Sequence, residues 1–344
     1  MSLAHQPRST GGTSPAKAQT PTKATTAPAM EEPAVANSEV ASQVGPAAQS
    51  TPFLDMAAAN GEDAGKYQFA EDDTLKQQTA PLPGVREKHA GSGYHDVANA
   101  TPFVQGEGDE HAVDPNDVAQ GSLGDCYLLA GMASVARADP SGIARLIKDN
   151  GDGTYDVTLH LRASATAKPK PKIVTVDGRL PAKAAGSKPL YAQPGDKNAN
   201  KTELWPALIE KALAQVKGSY EKISGGNIGK DGFAFAGATE MLTGRNEGYF
   251  ALSSLDEDDA LLKMGAALEA NKPVSCDSKD MSADAALTEE ATKLNVYGNH
   301  AYSPSSVDLD GRTVNLQNPW GSSHVTNLPI ASFMKYYRSI RVGA

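Results

Sequence analysis

The amino-acid sequence predicts an α+β fold in two lobes, helix-rich first and strand-rich second, behind an unfolded N-terminal segment. Helical apolar stripes concentrate between residues 126 and 217, and strand-like runs concentrate after residue 274. Residues 1–52 contain no aromatic side chain and are dominated by Ala, Pro, Ser and Thr. Such a segment buries too little apolar surface to offset its ordering entropy. No internal repeat runs along the chain.

After Cys126, the positions Leu128, Leu129, Met132, Val135 and Ala136 form one helical stripe, stopped at Asp139-Pro140. Residues 149–153 are turn chemistry. Gly151 stands where an EF-hand loop wants Asp or Asn, so a β-turn is expected there rather than a calcium loop. Tyr155, Val157, Leu159 and Leu161 alternate as a half-buried strand, and residues 173–176 make another before Asp177-Gly178. Thr202 is placed to cap a second long helix, with Pro206 in its first turns and Gly218 past its end. A glycine-rich stretch covers residues 224–237. The acidic run 256–259 opens a third helix reaching about Ala270 and closed by Asn271 and Pro273. Residues 274–276, 300–309 and 313–317 read as strands, with a hairpin turn at Asp310-Gly311. Residues 331–342 give a short helix and a last strand.

Residues 53–108 carry scattered aromatics among Gly, Pro and charges, and are expected to be a linker or pro-segment that docks locally. The folded core is expected from Asp109 to residue 344. A net charge of −9 argues against a nucleic-acid partner, because phosphate binding needs a basic face. No run is long and apolar enough for a membrane span, and no signal-peptide pattern opens the chain. The expected location is therefore cytoplasmic, or exported by a specialised non-Sec route. The tail reads first as a solvated segment, and its sequence does not choose among an export address, a pro-segment and a tether as further roles. The two cysteines, Cys126 and Cys276, have no metal-ligand spacing.

A cysteine is nucleophilic as its thiolate, which a helix N-terminus and a nearby imidazole favour. Cys126 opens its helix behind Gly124; alone, it is either a small buried residue or a presented nucleophile. Gln120, on the incoming loop, carries an amide able to donate to a developing oxyanion. Of the seven histidines, His5, His89, His95 and His111 fall in the tail or linker or at its edge. His160 takes the polar phase of its strand, and His324 follows a glycine turn with no evident orienter. His300 opens a strand whose hairpin return brings Asn318 beside it. An Asn there orients an imidazole without adding a charge.

These residues together resemble the calpain-type cysteine proteases (peptidase family C2), which share the papain-like fold. The matching stretches are Gln120, Leu123 to Tyr127 ("LGDCY"), His300 to Ser303 ("HAYS") and Asn318 to Gly321 ("NPWG"). Residues 203–226 are similar to the family's long helix and double glycine. The resemblance runs from Asp109 to the C-terminus and is similar to minimal bacterial members of the family. It implies a helical lobe over 109–222 with Cys126 as nucleophile, and a β-rich lobe over 223–344 with His300 as base and Asn318 as its orienter. It also implies Gln120 as oxyanion donor and Gly225, Gly226, Asn299 and Trp320 as substrate-binding residues. Cys276 is read as packing.

Three residues depart from the family pattern: Tyr127 stands for a Trp, Asn299 for a Gly, and Pro304 signals an edge or a bulge. Asp117 matches a calcium-ligand position, but the loop after Gly321 lacks the acidic residues of a second site. The chemistry is expected to require no cofactor. The resemblance implies a cysteine endopeptidase acting on proteins or peptides. A binding module without turnover and a transamidating or isopeptide-cleaving enzyme are the alternatives. The bacterial likeness implies a delivered effector or toxin, with secretion machinery or an immunity protein as partner.

Overall fold

The computed structural model describes residues 82–164, 166–195, 197–198, 201–225 and 237–344. The expected unfolded tail 1–52, much of the expected linker and Gly226 lie outside the described residues.

Residues 82–108 are folded onto the domain, so the boundary expected at Asp109 lies inside ordered structure. Strand β1 (Gly93–His95) pairs antiparallel with β6 (Leu180–Ala182), and β2 (Ala100–Thr101) pairs parallel with β8 (Lys201–Glu203). β7 (Lys197–Asn198) completes that small sheet. Helix α1 (Cys126–Ala138) keeps its expected start and stop. Pro140 nevertheless opens a further helix, α2 (Pro140–Leu146), because Asp139 caps it by accepting Gly142 N–H at 2.8 Å. Proline is tolerated there because a first-turn N–H has no helical partner to lose.

Strands β3 (Ile147–Asp149), β4 (Thr154–Leu161) and β5 (Lys170–Asp177) form an antiparallel sheet in that order. Helix α3 (Trp205–Lys217) starts later than expected: Thr202 lies in β8 and donates its N–H to Asn99 O. Gly218 ends α3 at φ +89°, a left-handed conformation that suits glycine. Helix α4 (Ala238–Thr243) packs on β4, which brings His160 Nδ1 to 3.3 Å from Met241 O instead of leaving it facing solvent. The first hydrophobic core therefore runs from Val113 to Leu242, and the lobe boundary expected at 222/223 moves beyond α4.

The second lobe is built on six antiparallel strands in the order β13-β12-β11-β10-β14-β9. They are β9 (Glu247–Ala251), β10 (Val274–Ser278), β11 (Ala301–Asp308), β12 (Thr313–Gln317), β13 (Val325–Pro329) and β14 (Tyr337–Gly343). Helices α5 (Glu257–Glu269), α6 (Ala285–Thr292) and α7 (Ile330–Tyr336) accompany them, and Asp256 caps α5 through Asp259 N–H. The β11–β12 register shifts between Pro304 and Ser306, so Pro304 occupies a bulge within an interior strand. Cys276, Tyr302, Phe333 and Tyr337 lie in this second core, with Phe333 and Tyr337 stacked at 4.5 Å. The domain is thus mixed α+β with one hydrophobic core per lobe. Among the described residues no helix is long and apolar enough to cross a membrane.

Candidate active site

The loop leading to Cys126 is pinned on both sides. Gln120 N–H donates to Pro319 O at 2.7 Å, and Ser122 donates both N–H and Oγ–H to Leu190 O. Gly121 passes so close to Tyr191 that a Cβ there would lie 2.1 Å from Tyr191 O; only glycine fits. Gly225 N–H donates to Gly124 O at 2.6 Å, and Tyr127 Oη–H to Ile223 O at 3.1 Å. These contacts bring Ile223 and Gly225 against the cysteine loop. Cys126 is partly exposed at the first position of α1, and its sulfur lies by the Ala301 N–H, the residue after His300. Burial pushes its thiol up to about 12, against the Ala301 hydrogen bond, which favours the thiolate.

On the facing strand, His300 Nε2 and Asn318 Oδ1 are 2.9 Å apart, both residues buried. Asn318 Oδ1 also accepts Trp320 N–H at 3.1 Å, and Asn318 Nδ2 donates to Ser323 O. With Oδ1 fixed as an acceptor, His300 carries its proton on Nε2 and leaves Nδ1 as the basic nitrogen. Ser278 holds the His300 backbone by accepting its N–H at 2.9 Å. Trp320 covers the pair, its ring 4.7 Å from the His300 ring. Burial lowers His300 to about 4, opposed by the Asn318 hydrogen bond and the Asp277 carboxylate. Both shifts, caused chiefly by burial, favour the neutral thiol and the neutral imidazole in this substrate-free arrangement.

Several contributors were not read from sequence. His324 anchors the orienter's backbone, its Nδ1 accepting Asn318 N–H at 3.1 Å. Arg137, at the far end of α1, donates to Ser303 Oγ at 3.0 Å and Gln317 Oε1 at 2.5 Å. It ties the cysteine helix to the His300 and Asn318 strands. Asp277 is held by Ser339 Oγ–H and Arg341 Nε–H, while Arg341 also reaches Glu247, which accepts Thr239 N–H from α4. Arg137 and Asp277 are single polar residues inside elements and His324 lies in the loop before β13, with no local pattern to mark them.

Some expected roles are changed by the contacts. Gln120 Nε2 donates inward, to Leu123 O at 2.6 Å and Asp125 Oδ1 at 3.3 Å. Serving an oxyanion requires it to release the longer bond. Asn299 takes φ +51°, which explains why Asn can replace glycine there, and its side chain engages Asp280. Asp117 Oδ2 accepts Trp205 Nε1–H at 2.8 Å and Asp114 N–H at 2.7 Å, completing a capping box. Among the described residues no three His, Cys, Asp or Glu side chains converge to hold a metal. Asp117 and Glu203 are both buried, but at Gly195 an added Cβ would meet Glu203 Oε2 and only the Cβ of Asp117, whose carboxylate is already engaged by Trp205 and Asp114. Cys276 is fully buried and free, with Sγ 3.8 Å from Tyr302 O.

A neutral resting pair has a measurable consequence. Alkylation of Cys126 by iodoacetamide in the substrate-free protein should rise about tenfold per pH unit between pH 7 and 9, following the thiolate fraction. A rate already flat across that range would show a preformed thiolate–imidazolium pair.

Two lobes with separate cores, a helix-borne cysteine in one and a paired His and Asn in the other, define a papain-like cysteine peptidase domain. The description "Calpain family cysteine protease" matches residues 99–327, and the chain belongs to that family. It is 29% identical over 237 residues to Calpain clp-4 of Caenorhabditis elegans, covering 67% of this chain and 30% of that protein. It is 34% identical over 220 residues to the Calpain-1 catalytic subunit of Bos taurus, covering 60% and 27%. With Calpain-8 of Rattus norvegicus it shares 29% identity over 289 residues, covering 76% and 38%. The chain spans well under half the length of each of these relatives.

Proposed function

We propose that this calpain-family domain is a cysteine endopeptidase that hydrolyses peptide bonds in protein substrates. The observation that carries the reading is the Asn318-anchored His300, whose Nδ1 is left as a base while the adjoining Ala301 N–H meets the Cys126 sulfur. As the sulfur bonds to the peptide carbonyl carbon, its proton passes to His300 Nδ1. The Cys126 backbone N–H, orphaned at the start of α1, and a Gln120 N–H released from Asp125 stabilise the oxyanion. The imidazolium then gives its proton to the leaving amine as the C–N bond breaks. Water, deprotonated by the same nitrogen, hydrolyses the thioester and restores the thiol. Asn318 holds the ring throughout. No step passes through a metal.

The test is to incubate the purified full chain with an unfolded protein substrate, in calcium and in chelator, and sequence the new N-termini. New N-termini with the native chain support the reading, and equal cleavage in chelator supports metal-free chemistry. An uncut substrate in both conditions would overturn it.

A further inference from the structure

Beneath Cys126 lie two carboxyl groups that the chemistry above does not use. Asp125 directly precedes the nucleophile and is fully buried; Glu210 projects from α3 and is also buried. Glu210 accepts Ala192 N–H with both oxygens, at 3.0 and 3.1 Å. Asp125 accepts Gln120 Nε2–H through Oδ1, while its Oδ2 is buried and has no ordinary hydrogen-bond partner. The Glu210 carboxyl lies within hydrogen-bonding reach of the Asp125 carboxyl. Two carboxylates cannot both be ionised in such a place. One proton on Glu210, donated to Asp125 Oδ2, satisfies the orphaned oxygen and leaves Oδ1 as a charged acceptor for Gln120.

We propose that Asp125 and Glu210 share one proton and act as a positioning pair that sets the orientation of the Gln120 amide. The proposal rests on the peptidase reading for the purpose of that amide, but not for the existence of the pair. The other ionisable groups around it are few. Arg86 acts on Asp125 from the segment before β1 and is itself paired with Glu221 at 2.8 Å. Tyr94, Tyr191 and Tyr220 lie near enough that an ionised Glu210 would raise them further, and Cys126 feels Asp125. Burial is the largest influence on both carboxyls: it raises Asp125 to about 7 and Glu210 well above its ordinary range.

The sign of the pH dependence follows from those directions. A carboxyl raised on folding adds stability at low pH that is lost as pH climbs from its unfolded value, about 4 for Asp, through its folded value. His300, lowered on folding, loses stability as pH falls over much of the same window. The readable quantity is therefore the difference in Tm between the native chain and Glu210→Gln across pH 4 to 9.

Glu210→Gln replaces the shared proton by an amide N–H, so Asp125 ionises more readily. The Tm of the native chain should fall relative to that of Glu210→Gln as pH rises. The Gln120 side-chain amide resonance, assigned through Gln120→Glu in a 15N spectrum, should shift with the same midpoint in the native chain only. On a peptide substrate, Glu210→Ala should lower kcat tenfold or more with KM little changed, and Glu210→Gln should restore most of it. A pH-invariant Tm difference, a Gln120 resonance that moves alike in both proteins, or full kcat in Glu210→Ala would overturn the pair. If no variant turns over substrate while Tm and resonance behave as expected, the pair stands and the peptidase reading falls.

Discussion

Cys126→Ala lowers kcat/KM for peptide hydrolysis by about 10⁴-fold or more, to background, because removing the nucleophile leaves only binding and oxyanion stabilisation. The folded state should be nearly untouched. The residue is partly exposed, and its thiol makes weak backbone contacts such as the one with Ala301 N–H. His300→Ala should lose about 10²–10⁴-fold, the usual worth of one acid–base group. Double substitution at both positions should cost scarcely more than Cys126→Ala alone, since the two act as one unit. Steady-state kinetics with a fluorogenic peptide measures all three, and turnover retained in Cys126→Ala would remove the residue from the reaction.

Arg137→Ala should be the most damaging change away from the reacting atoms. Its guanidinium bridges α1 to Ser303 on the His300 strand and to Gln317, the neighbour of Asn318. Gln317 continues the link by donating Nε2–H to Pro115 O at 2.6 Å, ahead of the cysteine loop. Truncation strands Ser303 and Gln317, both buried, at about 1–3 kcal/mol for each unsatisfied group. It also frees the nucleophile's helix to shift against its base, and a misplacement near 1 Å costs about 10²-fold in rate. We expect kcat to fall by about 10–10²-fold, and the urea midpoint to fall with it. Lysine reaches only one of the two acceptors and should rescue partially. Wild-type kcat in Arg137→Ala would show that the remaining ties, such as Gln120 N–H to Pro319 O, align the lobes unaided.

What was legible in the sequence follows from how local each signal is. α1 and its stop, the strand at 313–317 and the capped helix after Asp256 are written in apolar period and cap residues, and they appear where expected. His300 and Asn318 were legible because a hairpin brings its two strands side by side, and their ring–amide contact is the outcome. Thr202 misled because a good capping residue was already paired in β8, and tertiary context overrides a local preference. α4 is a six-residue helix directly after the glycine-rich stretch, too short for a periodic signal, so the lobe boundary and the cover over His160 went unseen. Asp125, Glu210 and Arg137 lie far from their partners in sequence, and no periodicity reports a buried polar contact between distant elements.

Exposure of the full chain to a peptidyl chloromethyl ketone, followed by intact mass and peptide mapping, tests the central claim most directly. The account predicts one adduct per chain, on Cys126, with Cys276 unmodified and labelling sharply slowed in His300→Ala. An unmodified Cys126, or equal labelling of Cys126 in the native chain and His300→Ala, would contradict it.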